Sequence, residues 1–227
     1  FFTVAAIQLI SLIVLLGLKI EKPRIRAGYQ GRPIGEFIRM PVYIVGIASA
    51  AIGYALMSYL MTATPLQVVN VAKLGNSANA TIIQWHVVAM FLPSFFTGGL
   101  IVRFGVLRVL WAGIGAYVVT IIMALLADSF WLYWFALLTL GLGWNFLYVG
   151  GSSLVARVAE PVERGRVQGV ADLVMTAMVA LSSFTAGAMH SQFGWRAMSQ
   201  LAILPVSVVG LLLVWLAIDS SRRRAIS

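Results

Sequence analysis

The chain has 227 residues, of which 61% are hydrophobic and 10% are charged, and it contains no cysteine. A soluble domain carries roughly 25% charged residues, so this composition excludes a water-soluble globular fold. The lack of cysteine excludes disulfides, thiolate metal sites and lipidation through cysteine, and a net charge of +9 confined to the gaps between apolar runs does not indicate nucleic-acid binding.

Seven apolar segments are each about long enough to cross a hydrocarbon core of ~30 Å, which predicts an all-α polytopic membrane protein. They cover residues 1–20, 37–64, 77–101, 106–127, 130–155, 162–190 and 195–218. The first segment is predicted to be the last helix of an N-terminal half, 21–36 a cytoplasmic linker, 37–218 a six-helix bundle, and 219–227 a basic cytoplasmic tail. The chain opens inside an apolar run without an initiator Met, which is typical of a fragment, and no signal peptide is seen.

The basic residues indicate the orientation in the membrane. If the 21–36 loop is cytoplasmic, fourteen of the sixteen lysines and arginines fall on the cytoplasmic side, and only Lys73 and Arg196 fall outside. This asymmetry follows the positive-inside rule and predicts a multi-pass inner-membrane protein of a bacterium with a cytoplasmic C-terminus. The outer face then carries the 65–76 loop and two short turns, 128–129 and 191–194.

The segments also differ in polarity. The first, fourth and seventh are almost wholly aliphatic and aromatic, which suits lipid contact, whereas the second, third, fifth and sixth carry polar and small residues. After the first segment the order is two polar helices followed by one apolar helix, twice over. This pattern favours two three-helix repeats, the internal organisation of half a transporter.

Two residue pairs in the polar segments could bind a metal ion. Met57 and Met61 lie four residues apart in one helical run, and His86 and Met90 lie four apart in the next, so each pair shares a helix face. Thioether and imidazole ligands suit a soft ion such as Cu(I). At 1.5 Å per residue, Met57 lies ~10 Å and His86 ~13 Å from the outer ends of neighbouring antiparallel helices, which predicts a ladder of four ligands leading inward.

A purely structural interpretation of these residues stays open. Methionine often fills gaps between packed helices. A neutral His86 would hydrogen-bond across the bundle, to Tyr59 or Gln84. Against this, an ionisable residue inside a span is costly and is a functional hypothesis by default.

Four further residues are candidates for the transport path or its gates. Asp172 is the only carboxylate well inside a predicted span. It would carry a coupling proton or close a cytoplasmic gate with Arg103, and the alternative is an ion pair or cap near the interface with Arg103 or Arg166. Asn145 and Tyr148 lie among glycines that favour close helix packing, and they would face either a cavity or a neighbouring helix.

The run from Gly98 to Arg108, Gly-Gly-Leu-Ile-Val-Arg-Phe-Gly-Val-Leu-Arg, resembles the loop signature of the major facilitator superfamily, G-x-L-x-D-R-x-G-R-[KR]. The signature's aspartate is Val102 here, and its first basic residue after the glycine is Val106. The conformational lock built on that aspartate is therefore not expected in this half. The resemblance implies a twelve-helix transporter fold, of which this chain is the last helix of the first half and the complete second half.

A narrower resemblance joins four stretches to the CcoA-type branch of that superfamily, which contains bacterial copper importers. They are 57–65, 84–98, 141–146 and 163–172. The branch implies an M-x-x-x-M and an H-x-x-x-M pair as copper ligands, and Met57, Met61, His86 and Met90 match them. It also contains transporters of unknown substrate.

These observations favour a secondary transporter that imports copper by alternating access, with copper as cargo, no resident cofactor and no nucleic-acid partner. Its other partners would be the lipid bilayer and the N-terminal half of the same transporter. Two alternatives stay open: a transporter of the same fold that carries a small organic solute or drug, for which Gln84, Asn145, Tyr148 and Asp172 would matter more, and a copper-holding assembly factor without transport. An enzyme is not predicted, because no nucleophile–base constellation or phosphate loop is seen.

Overall fold

The computed structural model describes residues 2–18 and 31–226, so most of the predicted 21–36 linker lies outside the described residues. The chain divides into two compact units, Phe1–Gly31 and Arg32–Ser227. The first contains helix α1 (Phe2–Gly17), a sixteen-residue helix without a charged side chain. It coincides with the first predicted apolar segment.

All regular structure in the described part of the second unit is helical, which confirms the predicted all-α fold class. The elements are α2 (Ile34–Phe37), α3 (Pro41–Pro65), a π-helical turn (Leu66–Val71), α4 (Gly75–Phe91), α5 (Ser94–Phe104), α6 (Val106–Leu126), α7 (Phe130–Val158), α8 (Arg164–Leu201) and α9 (Ile203–Ile226). Each predicted apolar segment from 37 to 218 therefore corresponds to one or two helices.

The lengths and hydropathies of these helices fit membrane crossing. Four stretches of the described residues are long and apolar enough to cross a membrane: α3 with its π-helical turn, α6, α7 and the run Arg164–Asp219. Helices α4 and α5 together are long and apolar enough to form one bent span. The run from Arg164 has 56 residues, or roughly 84 Å at 1.5 Å per residue, which is enough for two crossings.

Helix α7 is the centre of the bundle, because α3, α4 and α6 all pack along it. Glycines on α7 allow the close approach. A Cβ added to Gly151 would lie 2.5 Å from the carbonyl oxygen of Gly46 on α3, and one added to Gly141 would lie 2.6 Å from the carbonyl oxygen of His86 on α4. Since real side chains do not tolerate such distances, these positions require glycine.

The segment predicted as one helix over 77–101 is broken in the structure. Helices α4 and α5 meet at Leu92–Pro93 with a bend of 42°. Pro93 has no N–H to donate to the preceding turn, and its ring prevents the regular helix from continuing. The continuous hydropathy of the segment concealed this break.

Two connections predicted as a loop and a turn are more helical in the structure. The predicted 65–76 loop contains the π-helical turn Leu66–Val71, followed by positive φ angles at Lys73 (56°) and Gly75 (88°). The predicted 191–194 turn is reduced to a kink in α8 at Gly194, whose φ of 73° only glycine adopts freely. After the kink, the indole N–H of Trp195 donates to the carbonyl of Ala124 at 2.9 Å and ties this end of α8 to α6.

Candidate functional site

Aromatic side chains from three helices gather between α3 and α7. The rings of Trp144 and Tyr148 stack at 5.1 Å with an interplanar angle of 6°. Tyr54 of α3 meets both rings edge-on, at 5.3 and 6.0 Å, and Phe91 of α4 meets Trp144 edge-on at 5.8 Å. We call these four residues the aromatic cluster.

The cluster is buried on one side and open on the other. Trp144 is 5% exposed, Tyr54 and Tyr148 are partly buried, and Phe91 is 56% exposed. Helical spacing explains the arrangement, because Trp144 and Tyr148 are four residues apart and therefore share one face of α7. The indole N–H of Trp144 has no hydrogen-bond partner among the described residues, although a buried donor normally finds one.

Asp172, on α8, lies in the neighbourhood of Tyr148 of this cluster. Its carboxylate is exposed and near enough to the Tyr148 hydroxyl to interact with it electrostatically. The side-chain amide of Gln168 donates to Asp172 Oδ1 at 3.0 Å. The ion pair that the sequence suggested between Asp172 and Arg103 or Arg166 is not formed: among the described residues Asp172 has no cationic partner, and Arg166 instead donates to the carbonyl of Arg32.

A polar stripe continues from the cluster along α3. Tyr54, Ser58 and Met61 are all partly buried and follow the three-to-four-residue spacing of one helix face. The hydroxyls of Ser58 and of Ser183 on α8 are 2.6 Å apart, which joins the stripe to α8. Polar residues of the second and sixth segments, two of the four segments in which the sequence shows them, therefore meet at this contact.

The predicted metal ligands lie on two helices, Met57 and Met61 on α3 and His86 and Met90 on α4. Met57 and Met90 are 4% and 6% exposed and pack in the main hydrophobic core, and Met61 is partly buried and packs against the same core. Helices α3 and α4 were expected to lie side by side, but they barely touch, because α7 packs along both. The glycines of α7 that draw each helix inward are the physical reason for this difference.

His86 is fully buried, and one of its ring nitrogens is occupied. Nδ1 lies 2.7 Å from the carbonyl oxygen of Leu137 on α7. A carbonyl can only accept, so Nδ1 carries the hydrogen and Nε2 carries the lone pair. Nε2 is buried and has no hydrogen-bond partner among the described residues, so the expected bonds to Tyr59 or Gln84 are not formed. A lone pair on one nitrogen with the other held by a carbonyl is also the arrangement of a metal-ligating histidine.

Asn145 is fully buried against the break between α4 and α5. Its Nδ2 donates to the carbonyl of Met90 at 2.8 Å and to the hydroxyl of Ser94 at 2.6 Å, and its Oδ1 accepts from the hydroxyl of Thr97 at 2.7 Å. The amide group is thus committed to the neighbouring bent helix, the second of the two placements that the sequence allowed.

Arg103 lies in the last turn of α5. Its guanidinium carbon is 5.2 Å from the centroid of the Phe104 ring, and the residue is exposed. Gly105 then reverses the chain into α6 with a φ of 88°. Gly105 is the glycine of the loop signature, and a positive φ is favoured there only for glycine.

One buried polar network was missed by the sequence analysis. Gln67, in the π-helical turn, donates from Nε2 to the Tyr133 hydroxyl at 2.7 Å, and its Oε1 lies 3.1 Å from His190 Nε2 on α8. Gln67 had been placed in a loop and His190 at the end of a segment. The rule that an ionisable residue inside an apolar segment is a functional candidate would have selected His190.

Comparison with known proteins places the chain among membrane transporters. The family model described as Major Facilitator Superfamily matches residues 45–227. The chain is 39% identical over 212 residues to the riboflavin transporter RfnT of Brucella anthropi, an alignment that covers 92% of this chain and 53% of that protein. It is 32% identical over 184 residues to the uncharacterized MFS-type transporter YddS of Bacillus subtilis, covering 79% of this chain and 41% of the relative. The chain therefore spans about half the length of the curated relatives that it matches.

Proposed function

We propose that this chain, which belongs to the major facilitator superfamily, forms part of a secondary transporter that moves a small organic solute with a planar aromatic ring. A flavin is the first cargo to test, because a relative that is 39% identical over 92% of the chain is named a riboflavin transporter. Cargo would cross by alternating access, with the site near the bilayer midplane.

The observation that carries the proposal is the half-open aromatic cluster beside Asp172. Tyr148 is stacked on Trp144 on one side and is partly exposed, so an incoming ring can extend the stack. Aromatic pairs contribute about 0.5–1.5 kcal/mol each beyond the area that they bury. Small-molecule sites are mostly apolar with a few placed polar groups, and Asp172 supplies an acceptor for an N–H or O–H of the solute.

The test is uptake of radiolabelled riboflavin by cells that express the full-length transporter, compared with cells carrying an empty vector. We expect saturable uptake that unlabelled flavin suppresses. Absence of uptake above the vector background, at a confirmed membrane level of the protein, would overturn flavin as the cargo.

Variants of the cluster test the site itself. Tyr148→Phe keeps the ring and should retain most uptake, whereas Tyr148→Leu removes the ring and should raise KM. Loss of one aromatic pair predicts roughly a two- to tenfold increase in KM. Trp111→Phe is the matched control, because Trp111 is 42% exposed on α6, away from the cluster. Equal transport by Tyr148→Leu and wild type would remove the cluster from the site.

Copper import is the second candidate, and the free lone pair of His86 Nε2 favours it. That nitrogen is buried without a partner among the described residues, and Met90 lies one turn further along α4. Uptake of radioactive copper by the same cells, with Met57→Leu beside wild type, tests this candidate. If the purified protein binds copper but cells show no copper uptake, the result would instead support the other alternative, a copper-holding assembly factor.

The remaining expectations follow from the family and from the charge distribution. We propose a multi-pass protein of a bacterial inner membrane with its C-terminus in the cytoplasm, since fourteen of sixteen lysines and arginines fall on one predicted side. We propose the N-terminal half of such a transporter as a further partner, since the chain aligns to about half the length of its relatives. Reactivity of single introduced cysteines with an impermeant thiol reagent in intact cells tests this orientation directly, because the chain has no cysteine of its own.

A further inference from the structure

A narrow crevice opens between α5, α6 and α7 at the end of the bundle where α5 turns into α6. It has a volume of about 260 Å³. Its lining is apolar except for one arginine and consists of Leu100, Phe104, Arg108, Val109, Ala112 and Phe146. Arg108 and Ala112 are one turn apart on α6, so the crevice extends inward from a charged rim.

Two arginines lie at this turn, Arg108 in the lining of the crevice and Arg103 over the ring of Phe104, and neither has a carboxylate partner among the described residues. Arg108 is exposed, and its Nη1 donates to the carbonyl of Phe104 at 3.3 Å. Arg103 lies over the Phe104 ring, with its guanidinium carbon 5.2 Å from the ring centroid. The ion pair seen in the described chain joins other residues, Arg32 and Glu163.

The sequence explains why these arginines have no local carboxylate. The signature of this turn places an aspartate immediately before Arg103, but Val102 occupies that position and is 88% exposed. Water would solvate the two guanidinium groups, but it would gain nothing from the exposed valine beside them. Both are favourable at a membrane surface, where the valine meets acyl chains and the arginines meet phosphates.

We propose that this crevice binds an anionic phospholipid, with its phosphate between Arg103 and Arg108 and the start of one acyl chain against Phe104, Ala112 and Phe146. The charge and the apolar wall together select this occupant. Free phosphate would use the arginines and leave the wall empty. The predicted orientation puts the rim at the cytoplasmic leaflet, whose surface is negative and attracts basic residues.

The lipid-facing character of this side has independent support. Helix α6 is long and apolar enough to cross a membrane, and it exposes Trp111, Val118, Val119 and Ile122. These side chains continue the apolar surface beyond the crevice, so a lipid seated there would have further acyl chains beside it. The site is distinct from the aromatic cluster and does not depend on the identity of the cargo.

The experiment measures lipid binding to the full-length transporter in an uncharged detergent, using native mass spectrometry with dioleoylphosphatidylglycerol and dioleoylphosphatidylcholine in equal amounts. We expect selective retention of phosphatidylglycerol by wild type. Arg108→Gln should weaken that retention about fivefold, since one arginine near an anionic surface is worth ~1 kcal/mol. Ala112→Leu should weaken it without any change of charge, by filling the crevice.

The matched control is Arg157→Gln, which removes an exposed arginine from the last turn of α7, outside the crevice. It should bind phosphatidylglycerol as wild type does. Equal retention of the two lipids by wild type, or equal losses in Arg157→Gln and Arg108→Gln, would overturn the proposal. Displacement of the lipid by soluble glycerol 3-phosphate would also overturn it, because the acyl chain would then contribute nothing.

Discussion

The side chain of Asn145 on α7 holds the main chain of Met90 on α4, through a hydrogen bond of 2.8 Å from Nδ2 to the carbonyl oxygen. This contact lies just before Pro93, where the helical hydrogen-bond ladder is interrupted because proline has no N–H. A span can break inside a membrane only if neighbouring groups satisfy the freed backbone. Asn145 supplies such a group from the next helix.

Replacement of Asn145 by leucine should destabilise the transporter by about 1–3 kcal/mol, because it leaves buried partners in α4 and α5 without their bonds. The measurement is thermal unfolding of the full-length protein in detergent. Thr97→Val is the graded comparison: it removes one of the three contacts to Asn145 and should cost less. If Asn145→Leu melts at the wild-type temperature, the amide does not stabilise the broken span.

Gly151→Ala should separate α3 from α7. The added Cβ would lie 2.5 Å from the Gly46 carbonyl oxygen and 2.8 Å from the Ala50 nitrogen, so backbone must move. Overpacking of this kind costs typically 1–3 kcal/mol. Gly169→Ala is the control, because nothing lies within 4 Å of the added atom and alanine is favoured over glycine in a helix by up to ~1 kcal/mol. We expect opposite shifts of the melting temperature in the two variants, and a loss in Gly169→Ala as large as in Gly151→Ala would contradict this explanation.

Several features of this arrangement were predictable from the sequence. The glycines around Asn145 indicated close helix packing, and the structure places α3 and α4 against Gly151 and Gly141. The reversal at Gly105 occurs at the glycine of the loop signature, where a positive φ requires that residue. These features depend on the conformation or size of single residues, so they can be read locally.

Other features depend on which surfaces meet, and sequence spacing does not determine that. Met57 and His86 were placed at similar depths on neighbouring helices, but α7 packs along both of their helices. Pro93 is present in the sequence, but the segment 77–101 is apolar on both sides of it, so hydropathy predicts one continuous helix. The aromatic cluster combines residues about ninety positions apart, Tyr54 and Trp144, and no local pattern connects them.

Glu163→Gln should lower the stability of the protein, because it removes the charge that pairs with Arg32. Glu163 is buried and accepts from Arg32 through Nε at 3.0 Å and Nη2 at 2.8 Å, while the backbone N–H of Glu160 donates to it at 2.9 Å. The Arg32 side chain is 32% exposed, so the expected loss lies between the ~1 kcal/mol of a surface pair and the ~3 kcal/mol of a buried one.

Glu160→Gln makes the same change of charge on an exposed side chain three residues away, and it should leave stability unchanged. Chemical denaturation by urea compares the two variants at low and high salt. The deficit of Glu163→Gln should persist at high salt, since buried pairs are screened weakly. A deficit that disappears with salt, or equal deficits in both variants, would contradict a buried ion pair.

His86 has one ring nitrogen in a hydrogen bond and one without a partner among the described residues, so substitutions can test a structural role and a metal-binding role separately. Nδ1 donates to the Leu137 carbonyl, and the amide nitrogen of an asparagine at this position can take its place. We therefore expect His86→Asn to unfold near the wild-type temperature. His86→Leu loses the donor and should cost about 1 kcal/mol.

Neither variant keeps a lone pair where Nε2 lies, so both should lose Cu(I) binding if His86 is a ligand. Titration of purified wild type and variants with Cu(I) under a competing chelator measures this. Unchanged copper affinity in His86→Asn would leave His86 a purely structural residue and would weigh decisively toward the organic solute.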